Sequence, residues 1–84
     1  MEVIPLSNRI GSLKEALIEA KSCIGLTPDV FIVKREIPNV ATSYHYWVCR
    51  PIRNVRDMEL REWIVEFPDS VEVISRREFV KYDN

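Results

Sequence analysis

The run Tyr44-His45-Tyr46-Trp47-Val48-Cys49-Arg50 constrains this chain more than any other segment. Rings and β-branched side chains suit a pleated, half-buried surface, and Pro51 ends the run because it has no amide hydrogen for a ladder. In a strand, Tyr44, Tyr46 and Val48 face one way while His45, Trp47 and Cys49 face the other. Two helices can cover one side of a small sheet, so the opposite side should leave aromatics available unless the C-terminal helix or another chain covers it. The β-branched run Val30-Phe31-Ile32-Val33-Lys34-Arg35-Glu36, closed by Ile37-Pro38-Asn39, is the natural hairpin partner. One small α+β domain over residues 1–84 is expected.

Composition narrows the class further. With 46% apolar residues and 12 Lys+Arg against 13 Asp+Glu, the chain reads as a folded domain rather than a disordered segment. A net charge of -1 gives the whole molecule no attraction for nucleic acid or an anionic membrane, so any such contact must be local. The apolar stretches fall far short of the ~20 residues that span a bilayer, and Met1-Glu2 opens no basic-then-apolar leader. The expected location is the cytoplasm, with no membrane partner. Cys23 and Cys49 could close at most one bridge, and free, buried thiols are the expectation.

Ser12-Leu13-Lys14-Glu15 has capping-box spacing and starts a helix whose apolar stripe is Leu13, Ala16, Leu17, Ala20 and Ile24. Gly25 is placed to supply a left-handed stop, and Thr27-Pro28-Asp29 to make a turn. Asn54 heads a second helix with Asp57 in its first turn, Leu60, Trp63, Ile64 and Phe67 on one face, and Pro68 as its end. An Asp57–Arg61 pair supports helix here, although Trp63, Val65 and Phe67 also alternate as in a strand. Val71–Ile74 reads as a strand, and Ser75-Arg76-Arg77-Glu78 repeats the capping spacing ahead of a short C-terminal helix with Phe79, Val80 and Tyr82.

Glu2-Val3-Ile4 reads as a brief or edge strand because Pro5 follows. Helix, Pro-Asp turn and strand occur twice, forty residues apart. The favoured architecture is a single-layer antiparallel sheet of three to four strands with two helices on one face, in ferredoxin-like βαββαβ order. The fallback is a three-stranded antiparallel sheet carrying two helices, with the N-terminal residues as an edge or arm.

Chemistry is sparsely supplied. His45 and Cys49 share a strand face but stand roughly 13 Å apart, too far for one metal, and the two glycines permit no phosphate-cradling loop. Glu59, Glu62 and Glu66 read as a solvated helix face. No catalytic residue, metal or cofactor is expected. Arg50, Arg53 and Arg56 surround the start of the second helix and could hold a phosphate or carboxylate, unless Arg53 simply pairs with Asp57; Arg76 and Arg77 raise the same question more faintly.

The segment Leu60–Phe79, with its Trp63, Phe67, Val71-x-Val73 strand and Glu78-Phe79 step, resembles the end of the C-terminal extension of WYL-type bacterial transcription regulators. That resemblance covers the last quarter to third of the chain and implies a small α/β regulatory or assembly module. Pro68 stands where that family commonly has glycine, and there is no winged-helix DNA reader or WYL core.

The reading that follows is a non-enzymatic interaction or regulatory module that docks on a protein partner, or pairs with a second copy, through an aromatic sheet face. Tyr44, Tyr46 and Trp47 would be anchors and Arg50 rim charge. A small phage or mobile-element product binding a host machine is one form such a module takes. The alternative is a nucleic-acid or phosphate-ligand binder using Arg50, Arg53 and Arg56.

Overall fold

The computed structural model describes residues 1–82. In chain order the elements are β1 (Glu2–Pro5), α1 (Leu13–Cys23), β2 (Phe31–Glu36), β3 (Tyr44–Pro51), α2 (Val55–Glu59), a 3₁₀ turn (Arg61–Trp63), β4 (Val65–Glu66), β5 (Glu72–Ser75) and a 3₁₀ helix (Arg76–Tyr82). The strands form one sheet in the order β4-β1-β3-β2-β5, and every neighbouring pair is antiparallel. The α+β class is thus observed, with five strands where the sequence pattern predicts three to four.

Local chemistry explains most of the boundaries. Ser12 is extended and its Oγ accepts from the Glu15 N–H at 3.2 Å, which starts α1 as the capping spacing requires. At the other end, Gly25 is not the left-handed stop: no glycine has positive φ, and the chain leaves α1 through bonds from the Leu26 and Thr27 amides to the Cys23 carbonyl. The second Ser-x-x-Glu shows the reciprocal half of the same device. Glu78 Oε2 accepts from the Ser75 N–H at 2.7 Å and from its hydroxyl at 3.2 Å, and a 3₁₀ helix follows.

The larger correction concerns residues 55–67. The expected second helix stops at Glu59, Leu60 and Trp63 are exposed, and the chain turns into β4. The period-2 alternation wins because it delivers Phe67 to the sheet. There it is 3% exposed among Val3, Val33 and Cys49, a burial that a helix carrying Trp63 and Phe67 on one stripe could not combine with the Val65–Val3 pairing.

β3 is consequently covered on both sides by different means. Tyr46 and Val48 pack with Ala16, Leu17 and Ala20 of α1, with Ile32 and Ile74, and with Phe79 of the C-terminal 3₁₀ helix. Cys49, on the opposite face, packs with Val3, Val33 and Phe67, with Phe31, Trp47, Val65 and Val71 around them. α2 contributes to neither cluster, so the 3₁₀ helix takes the covering place expected of it.

Phe67 is the central cover of the second cluster. Phe67→Ala is expected to cost about 3–5 kcal/mol of unfolding free energy, measured by urea denaturation.

Candidate functional site: the second face of the sheet

The register fixes what each face offers. Across β2 and β3, Val33 lies opposite Trp47, Phe31 opposite Cys49 and Arg35 opposite His45, while Val33 is also opposite Val73 of β5. Facing pairs share a side, so these residues all belong to the second face. A row of rings crosses it: His45 and Trp47 meet edge to face with centroids 6.1 Å apart, and Trp47 tilts against Phe67 at 5.0 Å.

Phe67 and Val71 cover only part of this side. Phe31 and Trp47 remain half-buried and Val73, on the outermost strand, is 41% exposed. Beside them Pro28, Asp29, Phe31, Val73, Arg76 and Arg77 are among the residues that line an open groove of about 400 Å³. Arg76 reaches the Pro28 carbonyl at 3.3 Å, whereas Arg77 is exposed and makes no ion pair among the described residues.

The anchors expected from the sequence are divided by this geometry. Trp47 is on the second face. Tyr46 is only 8% exposed inside the α1-facing core and presents no surface to a partner. Tyr44 shares that first face, half-buried, with the Lys34 ammonium 4.1 Å above its ring. Phe31 and Val73 carry no site role in the sequence pattern, and Arg77 figures there only as a faint anion-site candidate. Alternation along Val71-x-Val73 gave their side of the strand, but nothing local revealed that β5 would be an edge.

The arginine cluster is satisfied internally. Arg50 grips Asp57 with two parallel bonds of 2.9 and 2.8 Å, and the Arg53 backbone N–H donates to the same carboxylate at 2.9 Å. Asn54 Oδ1 accepts from the Asp57 N–H at 2.9 Å, capping α2. The Arg53 side chain turns away from Asp57, donating from Nε to Asp29 at 2.8 Å and from Nη2 to both Asp29 and Thr27. The two acids therefore occupy the guanidinium forks that an incoming anion would need, and Arg56 is the one exposed member without a bonded partner among the described residues.

The same contacts set the charges. Bonds from Arg50 and the Arg53 amide hold Asp57 well below the usual carboxylate range, and its bonds with Asp57 raise Arg50. Burial pushes the Cys49 thiol up to about 12. Among the described residues no three His, Cys, Asp or Glu side chains gather as a metal site, and no helix is long and apolar enough to cross a membrane.

Fold and site together define a small α+β domain with one sheet, two cores and a partly covered apolar face. No family model, curated protein or solved structure matches the chain.

Two measurements follow from these environments. Because the folded state depresses Asp57, its stabilising contribution is complete above the ordinary carboxylate value of 3.8 and is lost as pH falls below it. Thermal melts between about pH 2 and 7 should show an acid-side decline that is flatter in Asp57→Asn. Cys49 is fully buried and its thiolate disfavoured, so a disulfide reagent near neutral pH should label it only after denaturation.

Proposed function

We propose that this protein is a non-enzymatic interaction module that docks through the second face of its sheet. The observation that carries the reading is the incomplete cover there: Phe31 and Trp47 half-buried and Val73 exposed, on a strand edge bordered by Arg76 and Arg77. Apolar side chains grouped beside cations are what a polypeptide partner can desolvate and orient against. A regulatory or assembly role, by inhibiting or adapting a larger machine, suits a module of this size and agrees with the WYL-type resemblance of residues 60–79. A cytoplasmic setting fits its thiols, which stay free although Cys23 is half-buried and Cys49 buried.

Anion or nucleic-acid binding at Arg50, Arg53 and Arg56 ranks lower because the first two would have to abandon Asp57 and Asp29. Catalysis ranks lowest, since the Cys49 thiol is sealed and His45 stands against Trp47.

Tagged protein recovered from its native cell should bring down a polypeptide that is lost with Val73→Glu and kept with Val55→Glu, a control at an apolar residue 74% exposed on α2. Loss with the control and retention with Val73→Glu would place the surface elsewhere. Recovery of polynucleotide, released steeply by salt, would favour the anion reading.

A further inference from the structure

Trp63 is the most exposed aromatic among the described residues and belongs to neither core. It is 56% exposed on the 3₁₀ turn ahead of β4, and its indole N–H donates to Glu62 Oε1 at 3.1 Å, so ring and carboxylate stand together on the exposed rim of an open groove shared with Pro5, Leu6 and Val65. The flanking acids Glu59 and Glu66 are exposed as well, and with Glu62 they outnumber the one exposed cation of this stretch, Arg61. At the opposite edge of the sheet lies the complementary arrangement: an apolar floor of Phe31, Val73 and Pro28 with the guanidinium groups of Arg76 and Arg77 beside it, while the one carboxylate in the lining, Asp29, is already held by Arg53. One edge offers a ring with a negative charge, the other an apolar recess with positive charge.

We infer that these two features are a plug and a socket for copies of the same chain, with Trp63 of one molecule seated over Phe31 and Val73 of the next and Glu62 meeting Arg77. This rests on the docking reading above and names the occupant of that face. The indole supplies the apolar contact, and the Glu62–Arg77 pair fixes orientation and disfavours an uncharged or cationic competitor. A nucleic acid fits the recess less well, because Phe31 is half-buried rather than a free stacking platform and only two cations lie beside it.

Geometry also sets the symmetry. Four strand spacings separate β4 from β5, about 19 Å, so the plug and socket of one molecule lie at opposite edges. Two copies related by a two-fold axis could satisfy both only by lying across the whole width of the sheet, a far larger interface than one ring in a shallow groove. The contact is heterologous and propagates head to tail. A single ring in a shallow groove buries far less than a permanent interface, so the association is weak and depends on concentration.

Mixing two half-blind variants tests this directly. Trp63→Ala keeps the socket and loses the plug; Val73→Glu keeps the plug and loses the socket; both sites are exposed, and melting curves check that each variant folds. By sedimentation, the wild type is expected to form species larger than a dimer as concentration rises, each variant alone to stay monomeric, and their mixture to stop at a 1:1 heterodimer. Wild-type growth undiminished in Trp63→Ala, or dimers formed by either variant alone, would overturn the pairing. A wild type monomeric at every concentration would also overturn it, and a cellular partner still lost with Val73→Glu would then show that the docking face stands with a different occupant.

Discussion

A strand that is apolar on both sides must be sealed on both sides, and one long helix can seal only one. β3 imposes this problem: Tyr46 and Val48 point to α1, Cys49 and Trp47 away from it. The first face takes α1 and Phe79, which together enclose it. What remains for the second is the stretch between β4 and β5, which contributes two side chains, Phe67 and Val71. The second core is accordingly closed at Val33 and Cys49, both with no exposure, and open toward β5 at Val73. The available surface is a product of how little chain there is, and its place is set by which strand ends the sheet.

The polar contacts answer a different need. After β3 the chain must cross past β1 to reach β4, which runs parallel to β3, and α2 is too short to be held by an apolar face of its own. Asp57 does the holding instead. It is 6% exposed and receives both arms of Arg50 and the Arg53 amide, while its own amide caps to Asn54. A buried carboxylate without those donors would be strongly unfavourable. Arg53 then ties the same turn to Thr27 and Asp29 after α1. A cluster that looks like an anion site in one dimension is a brace in three, because its anions come from its own chain.

That difference marks what the residues announce and what they do not. Ser12 with Glu15, the stripe of α1 and the two faces of β3 depend on neighbours within a turn or on strict alternation, and all are visible in the sequence. The Arg50–Asp57 and Arg53–Asp29 pairs lie seven and twenty-four positions apart across turns, beyond any spacing rule for a single element. The window from Leu60 to Phe67 satisfied both periods at once. Only the presence of Val3 and Cys49 as a receiving surface for Phe67 decides between them, and that surface is assembled from other strands. Tyr46 and Trp47 are adjacent and equally aromatic, yet one is core and the other borders solvent, because the material covering each face is unequal.

The sheet's edges explain why any association would run through side chains rather than through added strands. An open edge invites pairing when it is long and its amides are free. Here β4 has two residues, and at β5 the Ser75 amide is already taken by Glu78. Both edges are thus short and one outward amide of β5 is already taken, while Val73 stands exposed beside a guanidinium at one end and Trp63 beside a carboxylate at the other. Blunted edges suppress indiscriminate strand addition. What they leave outward is a pair of chemically unlike surfaces, and unlike surfaces select the partner that matches them.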